Sequence, residues 1–350
     1  MKIFIKAAVL SIIIVTAVIL SAFFILNRPT NHIPVSGYEL EVTHGMTAHK
    51  LSRLLRGEKL IRSPKLFVLM TKIICPTTPL KSGWFRIKPN SSTVSIIKQI
   101  YHGEFITVTF MIPEGATLRQ TNDILVKNGI LTQKQIDDFF AEPDYMQTLG
   151  LGNYIFDKKL ASPEGFLSPD TYTFTKGASA ETIYKGMIAL FYKKIKDIYP
   201  DYNDLSHSDF YDKIKMAAII EREVKNHSEA PIVAGVFYNR LNNNEKNPRY
   251  PTLLQSCATI QYILGKPQEQ LTDKELKIDS PYNTYIYKGL TPTPICNPGY
   301  DALKASFYPA KHDYYYFVVD DPTLGTHKFS KEYGAHLKAK DSYKEKKGFK

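Results

Sequence analysis

At 350 residues, with 45 Lys and Arg against 34 Asp and Glu and a formal charge of +11, the chain is long enough for more than one core. Its basic balance suits an anionic polymer or membrane face. Three cysteines (Cys75, Cys257, Cys296) are too few and too scattered for a disulfide framework or a zinc site, and read as small buried apolar side chains. No Lys/Arg block interleaved with aromatics points to nucleic acid, and the tail from Lys338 to Lys350 reads as solvated charge.

The chain opens Met1-Lys2-Ile3-Phe4-Ile5-Lys6 and then runs from Ala7 to Leu26 without a charged side chain. Those twenty residues make a helix of about 30 Å, one bilayer core. A cleaved secretory signal is the rival reading. The run exceeds the usual ~7–15-residue apolar region of such signals, and Ala22-Phe23-Phe24 is not a small-residue cleavage site. Lys2 and Lys6 precede the span, so the leading end is expected in the cytoplasm and the rest on the far side.

Asn27 to Gly37 is a polar stalk. Tyr38 to Val42 alternates as a strand does, Gly45 supplies a turn, and Thr47 begins a helix with Leu51, Leu54 and Leu55 on one face. The same order recurs about seventy residues later, with Val108 to Ile112 as strand, Gly115 as turn, Thr117 as helix start and Ile124-Leu125 as apolar face. The first unit closes on Gly83-Trp84-Phe85-Arg86-Ile87 and resembles the LysM-like subdomain of some cell-wall proteins. That resemblance implies docking on N-acetylglucosamine-containing glycan; a spacer is the alternative.

From about Ala161 aromatics and unusual turns increase. Glu181 to Ile198 and Asp209 to Val224 read as amphipathic helices, and Tyr282 to Ser330, dense in Pro, Gly and Tyr, as a groove built from loops. On the second helix Ile214, Ala217, Ala218 and Glu221 fall at helical spacing, so Glu221 continues an apolar face, whereas Glu223, roughly 200° round, is expected in solvent. A carboxyl among Ala and Ile has its charged form disfavoured, which suits a general acid. A surface Glu paired with Lys225 is the plainer alternative.

The surrounding motifs are long, ordered and irregular: Glu164-Gly165-Phe166-Leu167-Ser168-Pro169-Asp170, Val236 to Leu241, Leu254-Gln255-Ser256, Tyr282-Asn283-Thr284-Tyr285, Gly289 to Gly299, Tyr315 to Val318, and His327 to Ser330. With the anchor they resemble, over nearly the whole chain, the YceG-like family of endolytic murein transglycosylases. The resemblance implies non-hydrolytic cleavage of the β-1,4 bond between N-acetylmuramic acid and N-acetylglucosamine, with Glu221 as acid and base. It implies substrate contacts from Gln255, Ser256, Tyr282, Asn283, Tyr285 and Glu164, and no cofactor or metal. Peptidoglycan strands and the inner membrane are the implied partners, with synthases plausible and nucleic acid excluded. Where the family often has Asp-Pro-Thr, this chain has Cys257-Ala258-Thr259, so that acidic group is missing. Asn239 and Arg240 are expected to fix a groove wall, and His327 and His336 to be groove or core residues.

The expected fold is therefore α+β: a transmembrane anchor (1–28), a stalk (29–37), a LysM-like subdomain (38–160), a mixed α+β catalytic domain (161–340) and a basic tail (341–350). Two alternatives remain. One is a hydrolytic muramidase with Glu164 or Asp170 as second carboxylate; the other is a non-catalytic wall-binding anchor.

Overall fold

The computed structural model describes residues 2–103, 105–243, 247–268 and 271–347. It is a mixed α+β chain that divides into two compact units, the first formed by 1–109 with 173–178 and the second by 110–172 with 179–350. The second strand–turn–helix copy falls, from Phe110 on, in the same unit as the residues that follow it. The two copies nonetheless share local geometry. Gly45 and Gly115 both have φ of +72°, and the hydroxyls of Thr47 and Thr117 each accept from the backbone three residues on.

The first unit begins with α1 (Lys2–Asn27), of which Phe4–Asn27 is long and apolar enough to cross a membrane and is not buried within the protein. There follow β1 (Tyr38–Val42), α2 (Ala48–Gly57), α3 (Pro64–Ile74), β2 (Gly83–Ile87) and α4 (Thr93–Tyr101). β1 and β2 pair antiparallel, with Leu40 opposite Phe85. Alternation sends Leu40, Val42, Phe85 and Ile87 to one side, where they meet Leu51, Leu55, Phe67, Ile96, Ile97 and Ile100. Leu54, expected on that side, is 37% exposed, because only Leu51 and Leu55 of that trio point into the core. Cys75 is buried there as expected.

Next come β3 (Thr107–Ile112), α5 (Leu118–Lys127), α6 (Gln133–Ala141), α7 (Tyr145–Thr148) and β4 (Asp170–Thr175). β3 pairs with β4. The second unit continues with α8 (Ala180–Ile198), α9 (His207–Glu223), α10 (Ala230–Asn243), α11 (Cys257–Leu264), α12 (Tyr300–Phe307), the hairpin of β5 (Tyr316–Asp321) and β6 (Thr326–Ser330), and α13 (Tyr333–Lys347). α9 is its centre, in contact with α10, α11 and α12. Ile214 and every residue from Met216 to Glu221 are buried, so this stretch of the helix is enclosed on more than one face, while its first turn is exposed.

The side chain of Phe85 is fully buried at the middle of the first unit. Phe85→Ala should cost about 3–5 kcal/mol in urea unfolding of the detergent-solubilised chain, since the surrounding side chains cannot close so large a void.

Candidate active site

Glu221 lies in the last turn of α9 and is 9% exposed. Its Oε2 accepts from the Gly299 N–H at 2.9 Å. Burial pushes its pKa above the usual carboxylate range. The Gly299 N–H opposes this, Glu114 adds to it, and His227 and Arg222 act against it. The Gly299 N–H is aimed at the carboxyl by a loop that one buried amide fixes. Asn297 accepts at Oδ1 from Gly165 N (2.8 Å) and Leu167 N (3.1 Å), and its Nδ2 donates to the Ala116 carbonyl (2.9 Å). Gly115 N to Asn297 O and Asn297 N to Ala116 O complete the tie. Gly165 can hold this position because its φ is +91°, and a Cβ there would come within 2.5 Å of Pro294.

Glu114, His227 and Glu221 each bring a ligand atom within 4.8 Å of the other two. Glu114 precedes the left-handed Gly115, its side chain is about half exposed, and its Oε2 is 4.0 Å from His227 Nε2. Among the described residues this trio is the group close enough to hold a cation. Holding one would require Glu221 to lose its proton, against the direction burial imposes. Neither Glu114 nor His227 emerges as a site residue from the sequence. The usable signal was the repeat: His44 stands in the first copy where Glu114 stands in the second, so the turn itself does not call for an acid. An acidic group is therefore placed beside Glu221 after all, contributed by a strand–turn segment far from it in sequence.

The other predicted residues scatter. Glu164 is 4% exposed, accepts from Leu118 N (2.8 Å) and the Tyr262 hydroxyl (2.7 Å), and is also raised in pKa by burial. With Tyr282, Arg119, Arg222 and Lys266 it lines a cleft of 710 Å³. A smaller hollow of 410 Å³ is lined by Glu114, Gly115, Gln120 and Arg222. Gln255 instead lines a third hollow with Tyr250 and Pro251, held at φ +54°. Ser256 and Asn283 are buried. Asn283 closes a turn, donating to Leu276 O and Ile278 O and accepting from Tyr285 N. The Tyr285 hydroxyl lies 3.0 Å from Cys257 Sγ, and Cys257 is exposed rather than buried because it starts α11 at the surface. Asp170 is ion-paired with Lys194 at 3.1 Å.

Glu223 does not point to solvent. It accepts from the Ser256 hydroxyl (2.5 Å) and from Ala258 N (3.2 Å), and so caps α11 from outside that helix. Asn239 donates to His312 O and Tyr314 O, and Arg240 to Tyr315 O and Leu254 O, bonds that hold loops. His327 pairs with Glu229 at 2.8 Å.

The model of the YceG-like family matches residues 40–342. An endolytic murein transglycosylase of Bacillus subtilis is 30% identical over 317 residues, covering 87% of this chain and 84% of the relative. One from Streptococcus pneumoniae is 27% identical over 308 residues, and the match spans 53% of that relative's length. The crystal structure of a yceG-like protein from Listeria monocytogenes is 31% identical with a TM-score of 0.58, covering 87% of this chain and 99% of that one.

Two tests follow from this geometry. Asn297→Ala leaves two buried N–H groups without their acceptor, and should cost about 2–4 kcal/mol in chemical unfolding. Glu221 has a folded-state pKa above its unfolded value. The stability it contributes is present below the ordinary Glu range and is lost as pH rises through the raised pKa. Glu221→Gln, which can still accept from Gly299, should therefore be more stable than wild type at neutral pH, with the advantage gone below pH ~4. An equal difference at both pH values would contradict the buried, proton-holding carboxyl.

Proposed function

The chain belongs to the YceG-like family, and from that premise we propose that it is an endolytic murein transglycosylase that uses Glu221 as its acid and base. The observation that carries the assignment is a buried carboxyl in the last turn of α9, held by one backbone N–H and inclined by burial to keep its proton. Protonated Glu221 gives its proton to the glycosidic oxygen as the bond to the muramoyl anomeric carbon breaks. The C6 hydroxyl of the same sugar closes on that carbon and returns its proton to Glu221. The product end is a 1,6-anhydro-muramoyl residue, and no water is consumed.

The cut falls within strands and trims or ends nascent glycan near the membrane, beside the synthases that make it. α1 anchors the chain in the inner membrane, with the catalytic unit on the extracytoplasmic side. The order strand, helix, helix, strand from β1 to β2 supports a LysM-like piece that docks on glycan. Glu164 and Tyr282, which line the 710 Å³ cleft, are the proposed substrate contacts that geometry favours most. Gln255 would serve a separate subsite. Ser256 and Asn283, being buried, would act by shaping the loops that carry Gln255 and Tyr285.

One observation favours a second reading. Carboxylates about 5–5.5 Å apart characterise retaining glycosidases that pass through a covalent intermediate and end in hydrolysis. Glu114 and Glu221 lie within 4.8 Å, so a hydrolytic muramidase would take Glu114, rather than Glu164 or Asp170, as its second group.

Mass spectrometry of fragments released from purified sacculi separates the two. Transglycosylation leaves anhydro-muramoyl ends with no gain in reducing ends, and Glu221→Gln should lower the rate by about 10²–10⁴. Mainly reducing muramic acid ends would make the enzyme a muramidase, and a wild-type rate in Glu221→Gln would remove Glu221 from the chemistry.

A further inference from the structure

A single buried carboxyl faces conflicting demands in this reaction. It must begin protonated, and the positive charge that develops at the anomeric carbon needs a negative partner just when that proton has left. A carboxylate set beside it and open to the substrate meets the second demand without taking part in the proton transfer. We propose that Glu114 is that second group: set beside Glu221 and lining the adjoining hollow, it steadies the positive charge at the muramoyl anomeric carbon. The proposal rests on the assignment of Glu221 given above.

The placement of Glu114 is built rather than incidental. Its turn is pinned on both sides of Gly115 by the exchange of backbone bonds with Asn297, at 3.0 and 2.9 Å. Its Oε1 lies over Gly299, where a Cβ would come within 2.1 Å of that oxygen. The same glycine thus offers its N–H to Glu221 and, by lacking a side chain, makes room for Glu114. Glu114 also lines the 410 Å³ hollow, so its carboxylate is open to a ligand where Glu221 is closed in.

The charged and titratable groups around Glu221 are few. Arg222 comes from its own helix, His227 from the turn that follows, the buried Cys296 thiol from the loop before Gly299, and Glu114 from the opposing turn. Of these, Glu114 is the group whose negative charge favours the proton on Glu221 and also faces open space. It forms and breaks no bond. The C1–O4 electron pair leaves with O4, which takes the Glu221 proton; O6 supplies the new pair to C1, and its proton goes back to Glu221.

The test compares full-length wild type, Glu114→Gln, Glu114→Asp and Glu221→Gln in detergent, reading kcat/KM on purified sacculi against pH. Glu114→Gln should slow cleavage on the order of 10²-fold. Without the neighbouring negative charge Glu221 ionises more readily, so the alkaline limb of the profile should move to lower pH, while product ends stay anhydro. Glu114→Asp keeps the charge and should keep the limb near its wild-type position. A wild-type rate in Glu114→Gln, or a slower enzyme with an unmoved limb, overturns the role of Glu114. A wild-type rate in Glu221→Gln overturns instead the reading on which it depends.

Discussion

The second unit depends on one fully buried side-chain amide. Asn297 uses its Oδ1 on the Gly165–Leu167 turn and its Nδ2 on Ala116, segments 130 to 181 residues away in sequence. The Gly165 and Leu167 N–H groups would lie buried and unpaired without it, at about 1–3 kcal/mol apiece, and the Ala116 carbonyl would lose one of its two donors. Because the amide satisfies them together, three stretches that make no regular sheet or helix acquire one arrangement. Two consequences reach the site. The loop after Asn297 brings the Gly299 N–H to Glu221, and the turn before Ala116 brings Glu114 to the same place.

Burying Glu221 in the last turn of a central helix works against stability at neutral pH, and the surroundings return only part of it. One backbone hydrogen bond, His227 and Arg222 favour the charged form, while enclosure and Glu114 favour the proton. A carboxyl kept only for structure would be paired, as Glu223 is two residues later. Glu223 completes the start of α11 with both of its hydrogen bonds, and Glu221 holds one N–H on a single oxygen. The two acids of one helix end therefore divide into a cap and a buried, singly bonded carboxyl, and the difference lies in what the neighbouring segments present to each.

Local signals in the sequence carried most of the secondary structure. Thr47 and Thr117 cap helices after left-handed glycines in both copies, and the alternation of Leu40 and Val42 against Phe85 and Ile87 gave the strand pair of the first unit. Glu221 was legible because its helical neighbours are apolar on every side that matters. What could not be read was long-range. Periodicity put Glu223 in solvent because it cannot see α11 arriving, and it put Leu54 in the core because one helical face is wider than the actual contact. Glu114 was hidden for the same reason, since its partner comes from more than a hundred residues away. Asn283 looked like a ligand-binding amide, but three backbone groups of its own loop already use it.

The central claim is that one buried carboxyl, Glu221, drives bond cleavage in which the sugar's own hydroxyl, and no water, attacks. Cleavage of purified sacculi in ¹⁸O-labelled water tests this at the atom concerned. The account predicts that newly formed muramoyl ends carry no ¹⁸O; one labelled oxygen at each new end would contradict it.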